Sequence, residues 1–399
     1  MYLIIRALDA APPGSQAVEV VERKGLGHPD TLCDAIAEHA SVALCHYYRD
    51  HFGTVLHHNV DKVLLCGGAA RVAFGGGEIL EPIEVYLAGR ATREYGGARI
   101  PVHDIVIEAC REVLRRTLPE LDVEHDTRVI SRLRPGSADL AGLFVRGGSV
   151  GPLANDTSCG AGFAPLTDLE RVVLEVEREL NGGDCKRAHP EIGADAKVMG
   201  VRRGARIALT IGCAFVARFV RDANDYVEKK DLARTLALEA ARRVTALGVD
   251  AVVNAADDVA SGSVFITVTG ASAESGDDGE VGRGNRTCGL ITPYRPMTLE
   301  AAAGKNPVSH VGKLYNLAAS RIAGSIAAEV PDVSDATCVL VSEIGRAISD
   351  PLVADVRVGG EAGGPSAATQ RLVTERVRGE LAGLAALREA VLEERAPVF

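Results

Sequence analysis

Strand-like stretches of this sequence come in hairpin-like pairs set between helical stretches, and this spacing restricts the fold more than any motif does. Alternating apolar and polar residues predict strands at 18–23, within 55–73, at 197–202 and 205–221, at 263–269, and at 337–342 and 352–358. Helical periodicity predicts helices over 29–51, 103–118, 231–247 and 367–394. The capping-box sequence Thr167-Asp168-Leu169-Glu170 starts a further helix. Asn306-Pro307 starts another, with Asn as N-cap and Pro in the first turn. One strand per helix would indicate a doubly wound parallel sheet. Paired strands indicate α+β sheets with helices packed on one face. No clear linker marks a domain boundary. A Gly-rich loop is expected over 359–365 and an irregular tail over 395–399.

Composition excludes several function classes. The chain has 399 residues, with 44 Lys and Arg against 54 Asp and Glu, a formal net charge of −10. That sign argues against a dedicated binder of nucleic acid or of an anionic membrane. No run of about 18 uncharged apolar residues is present to span a bilayer. The first apolar run, Leu3-Ile4-Ile5, is too short for a secretory signal and is followed by Arg6 and Asp9. Nine cysteines are scattered without a CxxC pair. They read as reduced thiols of a cytoplasmic protein rather than a disulfide framework or a zinc knuckle. The sequons at Asn155 and Asn285 then carry no meaning.

The chemistry-bearing residues sit in Gly-rich loops and at helix starts. In Lys24-Gly25-Leu26-Gly27-His28-Pro29-Asp30, Pro29 suits a first helical turn and His28 a cap. The helix N-terminus beside His28 and Asp30 is a natural phosphate seat. A carboxylate next to a phosphate calls for a bridging cation such as Mg²⁺. Alone, the segment reads better as an N-terminal cap with a surface Asp favoured by the helix dipole. An HPD triplet also marks DnaJ-type co-chaperone domains, but there it lies in a short basic helical hairpin. The run over 270–289 has six glycines, with Glu274, Asp277, Asp278 and Glu280 beside Arg283 and Arg286. It is neither a Walker A sequence nor GxGxxG. Lys305 precedes a helix start without the Ser or Thr of a Walker A lysine. Asn155-Asp156-Thr157-Ser158 precedes small residues that permit close backbone approach. His57 and His58 point to opposite faces of a strand and cannot readily share one metal. Asp195-Ala196-Lys197 says nothing alone. Together these segments suit a Mg²⁺–polyphosphate site assembled from distant parts of the chain.

GHPD (27–30), NDTS (155–158), DAKVMG (195–200), GDDGEVGRGNR (276–286), GLITPYRPM (289–297) and AAAGKNP (301–307) together resemble the archaeal-type S-adenosylmethionine synthetases, from about residue 17 to residue 320. The resemblance implies three similar sheet-plus-helix domains around a pseudo-threefold axis, with approximate limits 1–145, 146–250 and 251–399. It implies a homodimer with active sites between the subunits, Mg²⁺, and K⁺. The implied reaction joins ATP and methionine, then cuts the released tripolyphosphate to phosphate and pyrophosphate. By resemblance His28 contacts the triphosphate at the breaking bond. Asp30 and Asp278 hold Mg²⁺, and Lys197, Arg283, Arg286 and Lys305 neutralise phosphates. Asp156, beside Asn155, binds the methionine amino group.

The chain departs from the family pattern at Cys159, where Phe is usual, and at Ser275, where Met is usual. Ala194, Ala196 and Ser309 also differ. If Cys159 and Ser275 line the amino-acid pocket, that pocket is wider and more polar. Neutral drift is one reading, and a specialised paralogue using a methionine analogue is the other. A non-catalytic nucleotide-binding subunit would have lost charged site residues, which are retained here. A kinase would release ADP.

Overall fold

The computed structural model describes residues 1–9, 11–137, 142, 144, 151–360 and 364–399. The middle of the expected 359–365 loop and the expected limit at 145–146 lie outside the described residues. The chain opens with two strands, β1 (Tyr2–Ala7) and β2 (Val18–Arg23), which join sheets formed later. A first unit follows: helix α1 (Pro29–Phe52), strands β3 (His58–Cys66) and β4 (Ile83–Ala91), helix α2 (Val102–Thr117) and strand β5 (Thr127–Ser131). Strand β6 (Cys159–Ala164) leads to a second unit. It comprises α3 (Asp168–Leu180), the short α4 (Gly183–Ala188), β7 (Ile192–Arg203), β8 (Arg206–Val216), α5 (Ala223–Val244) and β9 (Gly248–Val253). Strand β10 (Gly279–Glu280) precedes the third, with α6 (Val311–Glu329), β11 (Asp335–Val341), β12 (Val353–Gly359), α7 (Ala367–Ala382) and α8 (Leu384–Leu392).

The three main sheets share one pattern. Their strand orders are β10-β3-β4-β5, β2-β7-β8-β9 and β6-β11-β12-β1. Each has an antiparallel hairpin at its centre, an antiparallel strand on one edge and a parallel strand on the other. The strand preceding each unit's first helix is given to another unit's sheet. The chain is thus woven, and the α+β expectation holds. Alternation explains the one-sided burial: in β4, Ile83, Val85 and Leu87 are buried while Glu84 and Tyr86 are half-exposed. One core joins α1, α2, α6, α7 and α8 to two of the sheets, and a second fills the middle unit. Helix α6 lies close on β6 because Gly160 and Gly162 lack side chains. A Cβ at either would come within 2.2 Å of α6 backbone. Among the described residues no helix is long and apolar enough to cross a membrane. All nine cysteines are free.

Several local expectations need correction. The helix expected at Asn306 starts at Val311, capped by the His310 side chain. Asn306 Oδ1 instead accepts from Val308 N and Ser309 N, at 3.1 and 2.9 Å, closing a turn before the helix. The single C-terminal helix is two, parted at Gly383. The strand expected at 263–269 is only Ile266–Thr267. There the Glu274 carboxylate accepts from Val268 N and Thr269 N at 2.6 and 2.7 Å, satisfying donors that a ladder would otherwise use.

Candidate active site

Pro29 opens α1 and His28 caps it, with Nδ1 accepting from Asp30 N at 3.2 Å. A ring that accepts at Nδ1 carries its proton on Nε2, a donor suited to an anionic oxygen. Burial lowers the His28 pKa, against the raising influence of Asp195, and Lys24 lowers it further. Glycines allow the other motifs to close on this point. Gly27 N donates to Ala194 O at 2.9 Å, and a Cβ on Gly27 would lie 2.7 Å from the Ala194 backbone. A Cβ on Gly279 would lie 2.3 Å from the Pro29 carbonyl. Such contacts exclude any side chain, so the Gly-rich run and the strand entering Asp195 press directly on the start of α1.

The acids gathered here are largely engaged. Asp30 accepts from Lys24 Nζ at 2.7 Å and Glu280 N at 2.9 Å. Burial alone would raise its pKa, but these two donors outweigh it and hold the carboxyl below the usual range. Asp278 accepts from Gly67 N at 2.9 Å. Asp195 and Asp277 converge on Ser272 Oγ, at 2.6 and 2.8 Å. One hydroxyl proton serves only one of the two carboxylates, so the donor set has room for a cation. Among the described residues, however, no three His, Cys, Asp or Glu side chains form a preformed metal cage. Mg²⁺ suits that arrangement, because it usually binds one or two carboxylates and takes further oxygens from substrate phosphates and water.

The cations differ in readiness. Lys197 Nζ lies 3.1 Å from Glu22 and is 43% exposed. Arg283 is exposed and makes no ion pair among the described residues. Arg286 is folded back on the carbonyls of Gly282, Gly284 and Thr298. Ser275 is exposed at the turn beside Gly276, which packs on Gly67.

A second cluster surrounds Lys305. Its Nζ lies 2.6 Å from Asp61 Oδ2 and 3.2 Å from Glu300, and it is 4% exposed. Burial would raise the Asp61 pKa, but the Lys305 charge holds it at about 2. Gly304, at φ +76°, lies against the Val60 carbonyl, and its N–H donates to Glu38 at 3.0 Å. Lys313 Nζ reaches both Glu38 oxygens at 2.7 and 2.6 Å. Asn155 N donates to Ser309 O at 3.2 Å, and Asn155 Oδ1 is buried without a partner among the described residues. Asp156 is half-buried, accepting from Thr157 N. Cys159 is half-buried at the start of β6, paired with Val341. Among the described residues no hydrogen bond joins Cys159 to Ser275.

Helix α1 connects the clusters. Asp30, Asp34 and Glu38 recur every fourth residue and accept from Glu280, Gly282 and Gly304 N–H groups in turn. Eight residues of helix separate Asp30 from Glu38, about 12 Å. His28 and Lys305 therefore stand at opposite ends of this stripe. The sequence alone assigns no role to Lys24, Asp61, Asp195, Glu38 or Lys313, and marks Asp277 only as one of the acids of the Gly-rich run that can hold Mg²⁺. Spacing on α1 was the available signal for Glu38, whereas the other residues meet only through tertiary contacts.

Buried titrating groups give a pH prediction. Burial pushes His58 and His310 down to about 3 and Asp34 up to about 7. Between about pH 4.5 and 5.5 the unfolded chain protonates both histidines and ionises the aspartate. The folded chain does the reverse. From these three groups the unfolded state binds one more proton net, so stability falls as pH falls, by about 1.4 kcal/mol per pH unit, and the lowered pKa values of His28, His57 and His103 act in the same direction. Urea unfolding between pH 5.5 and 4.5 measures this slope. His310→Gln should flatten it, and a wild-type slope of zero or opposite sign would contradict it.

Comparisons with known proteins agree with this architecture. The model of the S-adenosylmethionine synthetase (AdoMet synthetase) family matches residues 2–395. A probable S-adenosylmethionine synthase of Aquifex aeolicus is 52% identical over 358 residues, covering 89% of this chain and 90% of its own. The S-adenosylmethionine synthase of Halobacterium salinarum is 46% identical over 402 residues, covering 99% and 98%. In fold, the chain resembles an unusual S-adenosylmethionine synthetase from Campylobacter jejuni, with TM-score 0.64, 15% identity and coverage of 96% and 94%. With the family model spanning almost the whole sequence and relatives near half identity, the chain belongs to the S-adenosylmethionine synthetase family.

Proposed function

We propose that the protein makes S-adenosylmethionine from ATP and methionine, releasing tripolyphosphate and cutting it to phosphate and pyrophosphate. The observation that carries this reading is the convergence of His28, Asp30, Asp195 and the Gly-rich run at one helix start, in a chain of this family. A thioether sulfur is already a nucleophile, so its attack on C5′ needs no general base. The work is alignment and neutralisation of a polyanionic leaving group. His28 would donate from Nε2 to the oxygen that leaves C5′. Lys197 and the exposed Arg283 would meet phosphate oxygens, and Arg286 would hold the loop that carries Arg283. Asp156 would bind the methionine ammonium, with Asn155 beside it. Cys159 lies next to that segment, whereas Ser275 ends the short turn that begins at Ser272. Asp30 and Asp278 would hold Mg²⁺, which when bound offsets phosphate charge. K⁺ is implied by the family resemblance, and no donor set among the described residues singles it out. The three like-patterned units support domains around a pseudo-threefold axis, with linear limits blurred by the exchanged strands.

Incubation with ATP, Mg²⁺, K⁺ and methionine, read by mass spectrometry, tests the reading. S-adenosylmethionine is the expected product, and its absence with intact ATP turnover would overturn methionine as the acceptor.

We also propose a homodimer in which each site takes His28 from one subunit and Lys305 from the other. The separation of about 12 Å along α1 supports this. Mixing inactive His28→Ala and Lys305→Ala proteins under subunit exchange should restore part of the activity, because some sites then receive both wild-type groups. No recovery in demonstrated heterodimers would sink the shared site.

A further inference from the structure

The strand that delivers Asp195 is irregular where it enters the site. On β7, three residues lie between Ile192 and Ala196, facing the single Ala214 on β8 between Phe215 and Cys213. Bulges of this kind bend a strand and re-aim its side chains. Here the bulge presents the Ala194 carbonyl to Gly27 N, at 2.9 Å. It also sends Asp195 N to Gly270 O, at 3.0 Å. The backbone of the His28 loop is therefore hung on the bulge.

The bulge is held from behind by two side chains that the proposed reaction does not use. Lys186, from the short helix α4, donates from Nζ to Ile192 O and Gly193 O, both at 2.7 Å. Asn181 Nδ2 donates to Ala194 O at 3.2 Å and to Glu177 at 2.6 Å. Behind them lies a cavity of about 420 Å³, walled by Leu26, Thr31, Lys186, Gly193, Ala194 and Thr269 among others. The cavity lets this part of the backbone move where close packing would not. Gly193 adds a further constraint, since a Cβ there would lie 2.2 Å from Ala214 O. Burial pulls the Lys186 ammonium down to about 8, so it is charged at neutral pH and can offer three N–H groups.

We propose that Lys186 is a positioning residue: by holding the Ile192 and Gly193 carbonyls over the cavity it fixes the bulge, and through Ala194 O and Gly27 N it sets His28 and Asp195. The catalytic consequence rests on the proposed role of His28. Misplacement of a reacting group by about 1 Å can cost about 100-fold in rate, so the effect falls on turnover rather than on methionine binding.

The test compares wild type, Lys186→Met, Lys186→Arg and Asn181→Ala by hydrogen exchange and steady-state kinetics. In Lys186→Met, amide exchange at Gly27 should speed by about tenfold, as for loss of a supporting hydrogen bond, while β3 amides stay unchanged. Turnover should fall by at least about tenfold with little change in the methionine KM. Lys186→Arg should recover much of both. If Lys186→Met does not fold, Asn181→Ala carries the same prediction at smaller size. Unchanged Gly27 exchange and unchanged turnover per folded molecule would overturn the proposal. So would faster exchange everywhere that arginine does not reverse, because that pattern is general destabilisation. If wild type makes no S-adenosylmethionine, the functional reading fails while the Gly27 exchange still decides the positioning.

Discussion

Lys305→Ala should lower turnover by about 100- to 1000-fold, the range seen when one preorganised stabiliser of developing charge is removed. ATP binding should change far less. The variant is expected to fold, because Asp61 keeps two other donors: Lys62 Nζ at 2.9 Å and Asn59 Nδ2 at 3.0 Å. The Asp61 carboxylate is therefore not stranded when Lys305 is lost. Circular dichroism, nucleotide affinity and initial rates separate these effects. Wild-type turnover in Lys305→Ala would remove the residue from the machinery.

Lys313→Ala should act in the opposite way, on stability first. Lys313 is fully buried, and among the described residues Glu38 has only the Gly304 N–H left once the ammonium is gone. Breaking a buried pair from one side costs about 3–5 kcal/mol. Glu38 is 14% exposed, which favours the lower end, about 3 kcal/mol. Spread over the woven chain of 399 residues, this lowers Tm by roughly 3–4 °C. Calorimetry measures it. Lys313→Ala paired with Glu38→Leu should regain part of the loss, since the unpaired charge is then absent. An unchanged Tm in the single variant would show that the pair contributes nothing.

The two lysines show what the sequence reveals and what it hides. Lys305 stands in a Gly-rich motif before a helix, and motif chemistry marks it. Lys313 sits inside an apolar helix and finds its role only through Glu38, 275 positions away in sequence. Local signals were read correctly where local chemistry decides: the Thr167 capping box is present with both reciprocal bonds, and His28 caps α1. They misled at Asn306, where the bridge between Lys305 and Asn59 holds the chain against β3 and delays the helix to Val311. Paired strands announced α+β sheets, but not that β2, β6 and β10 each complete another unit's sheet. Exchanged edges depend on long-range pairing, which alternation along one strand does not encode. The Asp195–Ser272–Asp277 group was hidden for the same reason. Its members are ordinary residues until Gly27 and Gly279 allow the segments to touch.

We propose that one site both releases the whole triphosphate of ATP and then cuts it. Phosphorus NMR of a completed reaction, with S-adenosylmethionine quantified in the same tube, decides this. One phosphate and one pyrophosphate are expected for each S-adenosylmethionine, with no ADP. ADP as the accumulating nucleotide, or phosphate formed without an adenosylated product, would contradict it.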